Sequence, residues 1–118
     1  FTKDEMRCTH CGAYDMDDTF MQRLDQLRED MGFAFPVTSA YRCAEHPIEA
    51  RKKAPGAHTT GRAVDIAVQG EKAYRLIEGA IELKFKGIGI KQKGQGRFIH
   101  LDDIPNSPDR PRPWIWSY

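Results

Sequence analysis

The sequence predicts an α+β domain, a small antiparallel sheet with flanking helices, and two kinds of apolar periodicity predict it. Two stretches repeat their apolar residues at three- and four-residue steps, as helices packed on one side do. Between and after them lie short runs rich in β-branched and aromatic residues, the last two separated by a glycine-containing turn. With 118 residues the chain is the size of one core, so residues 1–118 are read as a single domain with an N-terminal arm over 1–17.

The arm is polar and carries Cys8-Thr9-His10-Cys11-Gly12, which suggests an irregular segment or short turn. From Asp18 to Met31, Phe20, Met21, Leu24, Leu27 and Met31 share one helical face, with Asp17 or Asp18 as N-cap and Gly32 as stop. Pro36 to Tyr41 reads as a short strand after a turn. Residues 43–57, with Pro47, Pro55 and Gly56, read as a short helix or loop. Arg62 to Val68 alternates as a strand, which leaves His58 in the loop before it and Asp65 on it. Residues 71–86 place Ala73, Leu76, Ile77, Ala80, Ile81 and Phe85 on one face of a second helix ended by Gly87. Gly87 to Ile90 and Arg97 to Asp102 form a hairpin around a Lys-Gln-Lys-Gly-Gln-Gly turn. In the proline-rich tail, Trp114 and Trp116 fall on one strand face, which suits core closure or sugar stacking, burial being the commoner use.

Composition narrows the function classes. Apolar residues make up 40% and charged ones 30%, the balance of an ordinary globular chain rather than a disordered one. Formal net charge is +1, from 18 basic and 17 acidic residues, so no overall field draws the chain to nucleic acid. Neither a membrane span nor a secretory leader is expected, since no apolar run approaches about 18 residues and no basic-then-apolar order opens the chain. A monomer is expected.

His58, Asp65 and His100 are candidate ligands for one zinc ion, because zinc takes imidazole and carboxylate donors and a catalytic site leaves its fourth position open. Asp65 follows His58 by seven positions with Gly61 between them, a spacing that lets a loop histidine meet a strand carboxylate. By itself this spacing is only permissive, because a histidine in a strand is more often packed than ligating.

Three strings carry more. Ser39-Ala40-Tyr41-Arg42-Cys43, His58-Thr59-Thr60-Gly61-Arg62-Ala63-Val64-Asp65-Ile66, and Gly87-Ile88-Gly89-Ile90 through Phe98-Ile99-His100-Leu101-Asp102 together resemble the zinc D-alanyl-D-alanine carboxypeptidase family. That family includes bacterial carboxypeptidases and phage endolysins that cut cell-wall stem peptides, and it shares its fold with the hedgehog signalling domain. The resemblance covers roughly residues 36–118. It implies that His58, Asp65 and His100 hold zinc, and that Arg42, with Ser39 in the same string, engages substrate. It further implies a peptidoglycan hydrolase, carboxypeptidase or endopeptidase, working by metal-activated water at the cell wall, in the periplasm or released by a phage.

The pattern departs from relatives in two places. Where many carry an acid three residues before the last histidine ligand, or a histidine two before it, this chain has Arg97 and Phe98. Asp102 shares the strand face of His100 and is the candidate proton acceptor or, alternatively, the group that orients His100; Asp103 and Glu82 are lesser substitutes. Relatives often have serine two residues before the first histidine, where this chain has Gly56-Ala57. The rival readings are a zinc-stabilised, non-catalytic module that binds a wall peptide or a protein, and an unrelated zinc-free fold.

Cys8-x-x-Cys11 has the spacing of half a structural zinc site, with Cys43 and His46 as the available additions. On ligand count the commoner outcome is an arm whose cysteines pack or pair with Cys43. His46 is expected to cap a turn. Lys84, Lys86, Lys91, Lys93 and Arg97 are expected to be a solvated hairpin region rather than a contact for anionic polymer.

Overall fold

Helix α2 (Asp18–Met31) is the longest element, and both of its ends are local chemistry. The Asp17 carboxylate accepts from the Phe20 N–H at its start, and Gly32 takes the left-handed conformation at its end, where its N–H donates to the Arg28 carbonyl. The computed structural model, which describes residues 1–52, 54 and 56–118, also contains α1 (Lys3–Met6), α3 (Pro47–Ala50), α4 (Glu71–Glu82) and a 3-10 turn over Ala57–Thr60. Pro55, expected in the turn before His58, lies outside the described residues.

Five strands form one sheet: β1 (Val37–Ser39), β2 (Ala63–Ile66), β3 (Gly87–Lys91), β4 (Phe98–Asp102) and β5 (Trp114–Ser117), in the spatial order β1-β2-β4-β3-β5. The first three pairings across this order are antiparallel, as expected for the hairpin. The last is not, because β5 runs parallel to β3, with Gly87 opposite Trp114 and Gly89 opposite Trp116. The antiparallel β4 returns the chain to the start of β3, and residues 103–113 carry it from Asp102 past Gly87 to Trp114 at that same end of the sheet.

Strand alternation divides the sheet into two faces. Val64, Ile66, Ile88, Ile99 and Leu101 join Phe20, Leu24 and Leu27 of α2 and Ala73, Leu76 and Ala80 of α4 in one buried cluster. The intervening residues, Asp65, Gly87, Gly89, His100 and Asp102, therefore look the other way.

Two elements differ from the sequence expectation. Helix α4 ends at Glu82 rather than running to Lys86, because Lys84 adopts a positive φ of 66° and turns the chain. Phe85 still reaches the core from beyond the helix, with its N–H on the Ala80 carbonyl. The arm contains a one-turn helix, α1, closed by a reciprocal Thr2–Glu5 capping box, and Met6 at its end is fully buried. No helix among the described residues is long and apolar enough to cross a membrane.

Candidate metal centre

Register places two of the expected ligands side by side. In the β2–β4 pairing Asp65 stands directly opposite His100, so both side chains rise from the same face. His58 arrives from the 3-10 turn, which Gly61 ends at φ 73°. A side chain at Gly61 would meet the Asp15 carbonyl oxygen at 2.0 Å, so only glycine lets the chain turn here into β2.

The three side chains converge. One ligand atom from each of His58, Asp65 and His100 lies within 4.8 Å of the others, and all three residues are buried. His58 Nε2 is 3.2 Å and His100 Nδ1 is 3.0 Å from the same Asp65 oxygen, Oδ1. The donor set of two imidazoles and a carboxylate is that of an open zinc site.

Tautomers follow from the outer partners. His58 Nδ1 lies 2.8 Å from the Ala40 carbonyl oxygen, an acceptor only, so Nδ1 carries the proton and Nε2 is left with its lone pair facing Asp65. His100 Nε2 lies 2.7 Å from Asp102 Oδ2, so it donates there and Nδ1 is the atom that faces Asp65. Both inward nitrogens are thus those a metal would take. The residues fit zinc.

Asp102 is itself clamped. Arg112 Nε donates to Oδ1 at 2.8 Å and Nη2 to Oδ2 at 2.9 Å, a two-pronged pairing on a fully buried carboxylate. Burial opposes its ionisation, but the bonds from His100 and Arg112 outweigh burial and bring its pKa to about 2. The same balance at Asp65, between burial and the two imidazoles, ends well below the usual carboxylate range. Burial disfavours charge on His100, yet Asp102 and Asp65 on its two sides push its pKa up.

Glycines make room for this layer. A Cβ at Gly87 would fall 2.2 Å from Asp102 Oδ1, and one at Gly89 would fall 2.7 Å from the Trp116 ring. Trp116 packs its ring 5.1 Å from that of His100, with the Arg112 guanidinium 5.1 Å from the indole, while Trp114 is exposed. Trp116 thus walls His100.

Ser39 stands opposite Asp65 in the β1–β2 register. Ser39 and Arg42, the residues expected to engage substrate, line one groove of about 420 Å³ together with His46, and His58, Asp65 and His100 do not line it. Arg42 donates its backbone N–H to the His58 carbonyl, and its Nη1 is 3.2 Å from Glu49 Oε2. Glu49 is buried and also accepts from Lys52 and from the Gly56 N–H. His46 caps α3, as expected, its Nδ1 accepting from the Ile48 N–H. Asp103 is buried and held by Arg62 at 2.8 Å and by Arg23 at 3.5 Å. Glu82 is exposed at the end of α4, on the helical side of the sheet.

Two residues of this assembly carry no signal in the sequence. Arg112 sits between prolines in the tail, and Glu49 lies in an ordinary polar stretch. Each becomes notable only as the partner of a buried charge.

No curated protein matches the chain. A family model described as Peptidase M15 matches residues 1–102, a span that contains His58, Asp65, His100 and Asp102. The chain belongs to the peptidase M15 family, whose members are zinc-dependent peptidases.

Proposed function

We propose that the chain hydrolyses an amide bond in a peptidoglycan stem peptide, using one zinc ion held by His58 Nε2, Asp65 and His100 Nδ1. The observation that carries this reading is the convergence of those three buried groups, with His58 Nε2 and His100 Nδ1 both facing the same Asp65 oxygen. When bound, the ion supplies Lewis acidity to water and to the scissile carbonyl.

The chain's own residues bind and orient. The Ala40 carbonyl fixes the His58 ring, and Asp102 fixes that of His100. Asp102 is read as a positioning residue rather than the proton acceptor, since its oxygens are occupied by Arg112 and His100 and it has no exposed surface. Arg42, planar and permanently charged, engages a substrate carboxylate or the developing oxyanion, with Glu49 setting its direction and Ser39 beside it in the groove.

A second reading, a zinc-stabilised module that binds a wall peptide without cutting it, draws on the same feature of Asp102. Incubation of the purified protein with peptidoglycan, with and without a chelator, separates the two. Mass spectrometry is expected to find new amine and carboxyl ends that vanish with the chelator and in His58→Ala. Intact muropeptides in the presence of the zinc-loaded protein would sink the peptidase reading.

A further inference from the structure

Far from β4 in sequence, the arm builds a second cluster of soft ligands. Cys8, Cys11 and Cys43 bring their sulfurs within 4.8 Å of one another, although 35 residues separate Cys8 from Cys43. Cys8 and Cys43 are buried and Cys11 is at the surface.

The backbone around Cys8 is arranged as thiolate-binding loops are. The Gly12 N–H donates to the Cys8 carbonyl at 2.9 Å and the Cys8 N–H to the Ala13 carbonyl at 2.8 Å, which closes a tight turn at Gly12, φ 76°. The Cys43 N–H donates to the Cys8 sulfur from across the interface at 3.3 Å. An N–H donor on the sulfur favours an anion there, which a metal-bound thiolate provides.

The spacing offers a fourth ligand, His46, whose ring lies outside the group formed by the three sulfurs. Cys8-x-x-Cys11 is matched by Cys43-x-x-His46, whose turn is closed by the His46 N–H on the Cys43 carbonyl at 3.0 Å. The His46 ring lies over the same loop, its Nε2 3.1 Å from Thr9 Oγ1. A disulfide would use two of the sulfurs, leave Cys11 over, and give His46 no part. Zinc accepts all four, and Cys3His is a set it uses in structural sites.

We propose that Cys8, Cys11, Cys43 and His46 hold a second, structural zinc ion that fastens the N-terminal arm to the loop following Arg42. Ligation through Nε2 exchanges the Thr9 contact of His46 for the metal, moves the ring proton to Nδ1 with loss of the Ile48 N–H bond accepted there, and releases the thiol protons to solvent. The clamp acts on a joint where the Tyr41 N–H already donates to the Met6 carbonyl at 3.2 Å. It places a metal one residue from Arg42. The sequence count alone favours packing or pairing of these cysteines; the convergence of all three sulfurs reverses that preference.

The test counts metal and reads its ligands, independently of any peptidase activity. Protein purified from zinc-replete cells without chelator is expected to carry two zinc ions per chain by elemental analysis. The His58→Ala/His100→Ala variant is expected to retain one, and its cobalt-substituted form to show thiolate-to-cobalt charge-transfer absorption with the intense visible bands of a tetrahedral site. Cys11→Ser, at an exposed position, is expected to lose one zinc from the otherwise native chain while circular dichroism is unchanged. His46→Ala is expected to release the thiolate-bound ion to a competing chelator at least tenfold faster. One zinc per chain in the native protein overturns the proposal. So does a cobalt spectrum without charge transfer in the folded histidine variant, or a Cys8–Cys43 disulfide found by non-reducing mass analysis of the zinc-replete protein. Unchanged release in His46→Ala overturns the four-ligand site.

Discussion

Arg112 grips Asp102 with two parallel hydrogen bonds, at 2.8 and 2.9 Å, and through that carboxylate governs the ring of His100. A residue from the proline-rich tail thus sets the geometry of His100 on β4 without being one of the three converging groups. Removing the guanidinium leaves a buried carboxylate without its counter-charge. Arg112→Leu is expected to destabilise the protein by about 3–5 kcal/mol and to weaken zinc binding about 10–100-fold. Chemical denaturation and chelator competition measure the two effects. Unchanged zinc affinity in a folded Arg112→Leu variant would remove Arg112 from the positioning chain.

The two glycines of β3 differ in what they must accommodate. Asp102, which a Gly87 side chain would strike, is fixed by Arg112 and His100 and has nowhere to go. Trp116, which a Gly89 side chain would strike, belongs to the edge strand β5, which has a strand neighbour on one side only and so yields more readily than Asp102. Gly87→Ala is therefore expected to lower both Tm and zinc content, and Gly89→Ala to lower Tm less while keeping zinc. Equal effects would refute this ranking.

Acid should undo the metal-free protein from this cluster outward. The Asp102 carboxyl, held at about 2 by His100 and Arg112 against burial, has a folded pKa below its unfolded one. Its ionised form contributes stability that is fully present above about pH 4 and is lost as pH falls towards 2. Asp65 adds a loss of the same sign. Denaturation of metal-free protein across this range should show a steep fall, and Asp102→Asn a shallower one from a lower start. Parallel pH profiles for the two proteins would contradict the assignment.

Zinc binding should depend on pH with the opposite partner in control. His100, raised by Asp102 and Asp65 on its two sides, must surrender a proton before Nδ1 accepts a metal. Apparent zinc affinity is expected to rise with pH through neutrality. Asp102→Asn removes one of the two raising charges, so its affinity is expected to be lower at high pH and less pH-dependent. Competition titrations at several pH values report both quantities.

Arg42 is expected to matter for turnover and not for metal. If it meets a substrate carboxylate or oxyanion, Arg42→Ala should reduce kcat/KM on a stem peptide about 10²–10³-fold with zinc content unchanged. Glu49→Gln, which loosens the guanidinium without deleting it, should cost less. Full activity in a zinc-loaded Arg42→Ala variant would discard the substrate role.

Local chemistry made much of the protein legible beforehand. Apolar period, an aspartate cap and a stopping glycine define α2, because each acts within one turn of the chain. Likewise the glycine between His58 and Asp65 and the alternation of Phe98 to Asp102 put His58, Asp65 and His100 on a turn and two strands. The end of α4 was misplaced because Phe85 keeps the helical apolar period after Lys84 has turned the backbone. Periodicity records burial, and burial here outlasts the helix.

The sequence by itself determined which residues are able to hold a metal, since donor type and strand parity are properties of neighbours along the chain. Only the tertiary structure decided the tautomers of His58 and His100, the fork of Arg112 on Asp102, the parallel seat of β5 and the meeting of Cys8 with Cys43. Each of these joins groups separated along the chain, and their pairing depends on how strands register and how the arm docks. No local pattern of residues specifies those distances.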